Sequence, residues 1–482
     1  MLLSELIKEL DIVKIIGNKE VEINEIKTSS SEIAENGLFI ALKGTSFDGH
    51  NYYKDAIKNG AKAIICEKAL DTDITQIIVK DCRVAYSKVC SNFYNNPQKE
   101  LKIIGVTGTN GKTSTTHLIT AILTNYGIKC GLIGTLGIFY DKYYKDSPLT
   151  TPDPLDLFKT LREMCDKNVE IVIMEVSAHA SHFKKVFGID FEVLAFTNLT
   201  QDHLDFFNDI KTYEKAKLDI FIENKSKYIV TNVDDETGKK ICESHKNAVS
   251  YGINNPSDVF SIDIKQSLSG TEFIINLFDK VFSVKTHLLG LFNVYNAMCA
   301  ITVCALVGIP LSKTIEGLKE LKGISGRLDN IYDKKFSVFI DYAHTPDGIE
   351  KSLLALRPYA KGKLICVFGC GGNRDAKKRS IMGEKAGKNA DFLIITTDNP
   401  RYEEPMQIIY QIEKGAKKVN SKYVLIEDRK EAIRYALSIA KDKDVVLIAG
   451  KGSEKYQEVL GVKKMFSDKE TTLNLIKEFN DL

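Results

Sequence analysis

The sequence predicts an α/β protein in three regions: a small N-terminal α/β domain, a central P-loop domain and a C-terminal doubly wound α/β domain. Three observations carry the prediction. At 482 residues the chain is too long for one ordinary core. Short apolar runs alternate with stretches of helical spacing, the pattern of parallel βαβ units. A glycine-rich word, GTNGKTS, follows one of those runs and opens a helix.

Residues 1–97 form the first region. GLFIAL (37–42) and AKAIICE (61–67) read as short strands, and YYKDAIKNG between them has helical spacing with a glycine stop. Asn95, Asn96 and Pro97 mark a break. Residues 98–326 form the second region. LKIIGV is a strand, the glycine-rich turn follows, and TSTTHLITAILTNYG is a helix. Further apolar runs stand at IVIMEV (171–176), VLAFTNL (193–199) and KYIVTN (227–232). Residues 259–289 read as antiparallel strands about a turn at Ser269 and Gly270. NVYNAMCAITVCALVG then reads as a helix that stops at Gly308, with Pro310 beyond. Residues 327–482 form the third region. SVFIDYA, KLICVFG, DFLIITT, KYVLIE and DVVLIAG are short apolar segments separated by helical ones, as in a doubly wound sheet. Ligands of such sheets sit beyond the carboxyl ends of strands. The polar words GTNGKTS, DYAHTPD, GCGGNRD, DNPR and AGKG stand there.

With 44% hydrophobic and 27% charged residues, the composition is that of a soluble globular protein. Lys and Arg number 66 against 64 Asp and Glu, a net charge of +2, which argues against an electrostatically driven nucleic-acid or membrane binder and leaves room only for a local basic pocket. The opening MLLSELIKELDIVKIIG carries Glu5, Glu9 and Asp11 and lacks the basic start, unbroken apolar run and cleavage site of a signal peptide. No run is long enough to span a membrane. The ten cysteines show no CxxC and no metal-ligand spacing, so reduced thiols and a cytoplasmic location are expected.

Between Gly105 and Ser114 the glycines let backbone N–H groups turn inward around phosphate oxygens, and the helix N-terminus adds positive partial charge. Gly108, Thr109, Asn110, Gly111, Lys112, Thr113 and Ser114 are therefore expected to hold the phosphates of a mononucleotide. Lys112 would meet the β- and γ-phosphates, and the Thr113 hydroxyl would ligate Mg²⁺. The strict spacing is not kept: Val106 stands five before Gly111, and the first glycine lies one residue earlier.

GVTGTNGKTST resembles the form of this loop in the Mur ligases, which activate a carboxylate as an acyl phosphate with ATP and let an amine displace the phosphate. The resemblance runs over the whole chain in order, through TTPD (150–153), MEVSAH (174–179), NLTQDHLDFF (198–207), YEKAK (213–217) and GLFNVYNA (290–297). It continues through SGRLD (325–329), DYAHTPD (341–347), GCGGNRD (369–375), DNPRYEEP (398–405) and AGKGSEKYQ (449–457). Within the family it is similar to the members that add the third amino acid of the cell-wall peptide. The resemblance implies an ATP- and Mg²⁺-dependent ligase of peptidoglycan synthesis. It would join meso-2,6-diaminopimelate to the D-glutamate carboxylate of UDP-N-acetylmuramoyl-L-alanyl-D-glutamate. A monomer with no nucleic-acid or membrane partner is expected.

Carried over residue by residue, Glu175 and His203 match the family's magnesium ligands beside Thr113, a hard-oxygen and imidazole set that suits the ion. Lys217 matches the lysine carried as a carbamate (N6-carboxylysine), for which the amine must be deprotonated by burial or a nearby cation. Periodicity alone would also allow an exposed helical lysine there. Asn293 and Asn296 match the adenine-side helix, Arg327 the linker arginine and Asp341 the ribose contact. Residues 1–97 would bind the UDP end of the substrate, 98–326 ATP, and 327–482 the amino acid. Ser30 aligns with an Asp-Ser-Arg word near uracil whose flanks here are Ser29 and Ser31, while DGH (48–50) is kept. Thr150, Thr151 and Ser177 match residues that hold peptide and sugar. Lys185 replaces the usual Arg, which loses the bidentate fork, and Phe183 replaces a polar residue.

Arg374, Asp398, Asn399, Pro400, Arg401, Gly450 and Glu454 match the diaminopimelate-binding positions, with Ser453 in place of the usual His. A guanidinium binds a carboxylate through two parallel hydrogen bonds, and Glu454 would face the distal ammonium. A lysine-adding member of the family is the nearest alternative. It is disfavoured because a lysine substrate would leave Arg401 buried and unpaired. A folylpolyglutamate synthetase would not be expected to carry DNPR or the N-terminal domain. A noncatalytic nucleotide switch or transport ATPase would not need the carboxylate, histidine and lysine set.

Overall fold

The computed structural model describes residues 1–45, 47–419 and 422–480. The chain packs as two units. One comprises Met1–Thr107, Ile128–Leu194 and Lys215–Ile229, the other Gly108–Gly127, Ala195–Glu214 and Val230–Leu482.

The first unit begins with a five-stranded sheet of β1 (Ile12–Ile16), β2 (Glu25–Lys27), β3 (Gly37–Ile40), β4 (Ala61–Cys66) and β5 (Thr75–Val79), in the order β1-β5-β4-β3-β2. β2 to β5 run parallel, and β1 closes one edge antiparallel. β3, β4 and the helix Tyr53–Lys58 are the elements read from GLFIAL, AKAIICE and YYKDAIKNG. Ile33, Phe39, Ala56 and Ile64 pack between the sheet and that helix. The helix Cys82–Phe93 starts where the Asp81 carboxylate accepts from the N–H groups of Arg83 and Val84 at 2.7 and 3.2 Å, satisfying two donors the helix leaves open.

Also in this unit are β6 (Lys102–Thr107), β7 (Cys130–Gly134), β8 (Gly137–Tyr140), β9 (Tyr143–Lys145), β10 (Ile171–Glu175), the start of β11 (Phe191–Phe196) and the start of β12 (Ser226–Asn232). Their order is β12-β11-β6-β10-β7-β8-β9, with β6, β10 and β7 parallel. LKIIGV and IVIMEV are unbroken apolar runs because both strands are buried on both faces. The antiparallel meander β7-β8-β9 was not anticipated, since its outer strand, YYK, is exposed and carries no alternation to read.

The second unit takes up the chain at the glycine-rich loop and the helix Lys112–Asn125. It holds β13 (Ala248–Gly252), β14 (Val259–Ser267), β15 (Gly270–Leu277) and β16 (Lys280–Thr286). β14 and β15 form the expected antiparallel pair, with Ser267 opposite Gly270. The helix Leu291–Leu306 ends before Gly308 as the sequence signals, and a second helix, Leu311–Glu320, follows.

The six-stranded sheet contains β17 (Asp329–Asp333), β18 (Ser337–Asp341), β19 (Leu364–Phe368), β20 (Phe392–Ile395), β21 (Tyr423–Leu425) and β22 (Val445–Ala449), in the order β17-β18-β22-β19-β20-β21. All are parallel except the edge strand β17. Side chains alternate between two cores. Phe339, Cys366, Leu393 and Leu447 meet the helices Pro346–Leu356, Lys377–Asn389 and Pro405–Ala416. Val338, Ile365, Ile394 and Val446 meet Arg429–Ile439 and Asp468–Asn480. Helices on both faces are the reason the strands read as continuous apolar runs. The register sets Asp341 beside Ala449, Ala449 beside Phe368, and Phe368 beside Ile395. The words DYAHTPD, GCGGNRD, DNPR and AGKG therefore leave the sheet together at the carboxyl ends of its parallel strands. A short hairpin of β23 (Tyr456–Val459) and β24 (Val462–Met465) completes the fold. Among the described residues no helix is long and apolar enough to cross a membrane.

Candidate active site

In the second unit the glycine-rich loop closes on itself. Lys112 Nζ donates to the carbonyls of Gly108 and Thr109 at 2.8 and 2.9 Å. Gly108 and Gly111 have φ of +140° and +90°, and a Cβ would fall 1.9 Å from Thr197 Oγ1 and 2.4 Å from Asn296 Oδ1. Neither position has room for a side chain, which is the close backbone approach expected of an anion cradle. Thr109 and Asn110 are tied to the segment after β11: Thr109 N donates to Asn198 O at 2.8 Å, and Asn110 N to Asn198 Oδ1 at 3.0 Å. Thr113 and Ser114 are buried in the first turn of the helix.

The residues expected on the nucleoside side gather around the same loop. Asn296 Nδ2 donates to Asn293 Oδ1 at 2.8 Å, and Asn293 Nδ2 to Leu289 O at 2.8 Å. Arg327 Nη2 donates to Thr113 Oγ1 at 2.9 Å, with the guanidinium 4.6 Å over the Tyr342 ring. Asp341 accepts from Leu328 N, Ala343 N and Ser352 Oγ at 2.7, 2.9 and 3.0 Å. Burial pushes its carboxyl above the usual range although Arg327 and these donors oppose it. A cavity of about 400 Å³ is lined by Gly111, Ser114, Asn296, Arg327 and Asp341.

That cavity also has walls the sequence reading does not single out. Asp234 accepts from Tyr295 Oη at 2.7 Å and from the N–H groups of Ile253, Asn254 and Asn255 at 2.6, 2.9 and 2.8 Å. Burial would raise its carboxyl; these bonds override burial and hold it below the usual range. The signal for Asp234 was only an acidic pair after the KYIVTN strand.

His203 stands at the start of the helix Leu204–Phe207 with φ +55°. Its neighbour Asp202 is buried and faces two histidines and a lysine: His203 Nε2 at 3.4 Å, His344 Nε2 at 3.8 Å and Lys378 Nζ at 3.6 Å. Burial alone would raise the Asp202 carboxyl; the two histidines and the lysine hold it well below the usual range. Asp202, His344 and Lys378 are further residues the sequence reading did not single out, although two lie inside words it quotes.

In the first unit, Glu175 ends β10 almost fully buried. Thr135 donates to it through N at 2.9 Å and through Oγ1 at 3.0 Å. Thr150 Oγ1 lies 3.1 Å from Thr135 Oγ1. Thr151 Oγ1 donates to Glu175 O at 2.9 Å and accepts from Ser177 N at 3.0 Å. Thr150, Thr151, Glu175 and Ser177 are therefore one cluster. Lys185 is buried and paired with Asp153 at 2.7 Å. Phe183 lies under the Arg83 guanidinium at 4.3 Å. Lys217 is 1% exposed on the helix Ile210–Glu223, so an exposed helical lysine is excluded. Ser29 and Ser31 close on each other at 2.9 Å, and Ser30 O accepts from Asn59 Nδ2 at 2.8 Å. In DGH, His50 Nδ1 meets Asp48 at 2.6 Å and Nε2 accepts from Glu67 N at 2.9 Å. Among the described residues no three His, Cys, Asp or Glu side chains form a metal-holding group by themselves.

At the carboxyl ends of the strands of the six-stranded sheet, Asn399 Nδ2 donates to Glu454 Oε2 at 2.9 Å. Lys451 Nζ donates to Asn399 Oδ1 and to Glu454 Oε2, both at 2.9 Å. Gly450 N donates to Asp341 O at 3.0 Å, and Asp398 O accepts from Gln457 Nε2 at 2.8 Å. Pro400 packs its carbonyl on Gly372. Arg374, exposed, and Arg401 both border Gly371. Arg401 corrects one expectation. It is 20% exposed and paired with Glu458 at 3.2 Å, so an amino acid without a distal carboxylate would not leave it buried and unpaired.

The sequence can now be set beside known proteins. The family profile described as Mur ligase middle domain matches residues 106–304, and that described as Mur ligase, glutamate ligase domain matches 326–452. The profile described as Mur ligase family, catalytic domain matches 22–109. The UDP-N-acetylmuramoyl-L-alanyl-D-glutamate--2,6-diaminopimelate ligase of Caldanaerobacter subterraneus subsp. tengcongensis is 45% identical over 470 residues, 96% of this chain and 97% of its own. The ligase of that name from Clostridioides difficile is 43% identical over 478 residues, 98% of each chain. A solved structure of an enzyme of that name covers 100% of this chain and 99% of its own, at 30% identity and a TM-score of 0.70. Matched in this way from one end to the other, the chain belongs to the Mur ligase family.

Proposed function

We propose that the protein is the ATP-dependent ligase that adds meso-2,6-diaminopimelate to the D-glutamate carboxylate of UDP-N-acetylmuramoyl-L-alanyl-D-glutamate, acting in the cytoplasm as a monomer. The observation that carries this reading lies at the carboxyl ends of the strands of the six-stranded sheet. Two arginines border Gly371 there, and the amide of Asn399 is joined to the carboxylate of Glu454. A guanidinium fork and a carboxylate match an amino acid that ends in both a carboxylate and an ammonium.

The residues present fit ATP. The glycine cradle leaves no room for side chains, and a cavity of about 400 Å³ adjoins it, within the size range of small-molecule sites. Lys112, Thr113, Ser114 and Arg327 would take the phosphates, and Asn293, Asn296 and Asp341 the nucleoside. Mg²⁺ would be held by Thr113, Glu175 and His203 together with phosphate oxygens, since this ion keeps few protein ligands. When bound, ATP and Mg²⁺ supply the phosphoryl group and the charge that let a carboxylate become an acyl phosphate. Lys112 offsets the repulsion between the two anions. Lys217 is read as a carbamate, and its burial supports a place inside the site rather than on the surface. Thr150, Thr151, Ser177 and Lys185 would hold the sugar-peptide, with Ser30 toward its uracil end. The three regions 1–97, 98–326 and 327–482 are proposed as the domains for UDP-substrate, ATP and amino acid.

Purified protein with ATP, Mg²⁺ and the UDP-linked dipeptide, offered each amino acid in turn, tests the reading. A product heavier by one diaminopimelate residue is expected. Ligation of another amino acid instead overturns the substrate, and ATP hydrolysis with no acceptor overturns the ligase.

A further inference from the structure

We propose that Glu458 is a specificity-determining residue of the amino-acid site: its carboxylate stands on Arg401 in place of that of the incoming amino acid and is exchanged for it on binding. The inference rests on the reading of diaminopimelate as substrate and extends it to a residue outside the words that carry the resemblance.

Arg401 is held on two sides. Its Nη1 donates to Gly372 O at 2.8 Å, and its Nε faces Glu458 Oε2 at 3.2 Å. The fork thus already carries a carboxylate, and a second one from a ligand must compete for it. The main chain beneath the pair is fixed. Arg401 N donates to Glu458 O at 3.1 Å, Leu460 N to Arg401 O at 2.7 Å, and Glu458 N to Asn399 Oδ1 at 3.0 Å. Exchange is therefore a rotation of the Glu458 side chain, which is 20% exposed and has water to turn into.

The neighbouring pair behaves differently. Lys451 is 0% exposed, and it and Asn399 both bond to Oε2 of Glu454, so that carboxylate is pinned and keeps its other oxygen for a ligand ammonium. One end of the site is thus permanently set by Lys451, and the other is occupied by an exchangeable stand-in. A diaminopimelate carboxylate displaces Glu458. L-Lysine, which lacks the distal carboxylate, leaves Glu458 in place and meets a neutralised Arg401. Glu458 therefore weakens the binding of the right substrate and softens the rejection of the wrong one.

The test measures KM and kcat for diaminopimelate and L-lysine in the full chain and in Glu458→Gln and Glu458→Ala. Diaminopimelate binding by calorimetry is the second readout, and thermal melts check the fold. Without the competing charge, KM and Kd for diaminopimelate are expected to fall about fivefold, the worth of a partly exposed ion pair, at constant kcat. The preference over lysine should widen by a similar factor. Unchanged or raised KM and Kd in both folded variants overturns the proposal. If the unaltered protein ligates no diaminopimelate, the substrate reading itself has failed and this proposal with it, and the unsubstituted control shows that separately.

Discussion

Arg327 donates to the hydroxyl of Thr113 at 2.9 Å although 214 residues separate them. The contact ties the start of the third region to the first turn of the phosphate-loop helix, and the stack on Tyr342 fixes the plane of the guanidinium. Arg327→Lys keeps the charge and loses both the fork and the stack. The affinity for a nonhydrolysable ATP analogue is expected to fall about tenfold by calorimetry, and an unchanged affinity removes Arg327 from the nucleotide site.

Gly111→Ala puts a methyl 2.4 Å from Asn296 Oδ1 at a φ of +90°. Strain and clash together should cost roughly 2 kcal/mol or more of stability. Nucleotide binding should be lost along with it, because Asn296 must move. A thermal melt and an analogue titration read the two effects, and a variant unaltered in both contradicts the packing described.

His117 gives a pH signature. Burial, with Arg327 beside it, pushes its pKa down from 6.5 to about 4. The folded state is then harder to protonate than the unfolded chain. The stability this contributes is fully present above about 6.5 and is lost as pH falls through about 4. Denaturant unfolding followed from pH 7 to 4 should be flatter in His117→Gln by about one proton over that interval. Equal slopes for the two proteins count against a neutral His117.

Lys217→Ala should be almost inactive, with partial rescue by a small carboxylate at high concentration. The rescue separates a metal-holding anion from a packing role, which an added carboxylate cannot replace. Intact mass of the active protein under CO₂ should show the adduct, and an unmodified lysine there rules the carbamate out.

Arg401→Ala should raise KM for diaminopimelate more than tenfold and leave KM for ATP little changed, since it loses a charge-assisted contact. A stranded guanidinium would give a preference for diaminopimelate over lysine of roughly four orders of magnitude, and because Glu458 pairs with Arg401 in the free protein the preference should fall short of that by about fivefold. Equal catalytic efficiencies for the two amino acids would falsify the diaminopimelate assignment and leave the ligase standing.

Much of the fold was legible because its signals are local. LKIIGV, GTNGKTS and the helix after them specify strand, turn and helix through hydrophobic run, glycine and helical spacing alone. The five parallel strands of the third region were readable for a similar reason, as helices on both faces make each an unbroken apolar run. The exposed strands carried no such mark: β9 reads YYK and β24 reads VKKM, both open to solvent.

The sequence by itself determined the three α/β regions, the phosphate loop and the residue types of the candidate site, since each is written within a few consecutive residues. Only the tertiary structure decided that Lys217 is buried, that Asp202 faces His203, His344 and Lys378, and that Arg401 already holds Glu458. The physical reason is that charge and burial at these positions depend on which side chains packing brings within about 4 Å, the reach of an ion pair. Those partners come from other elements, and nothing in local periodicity encodes them.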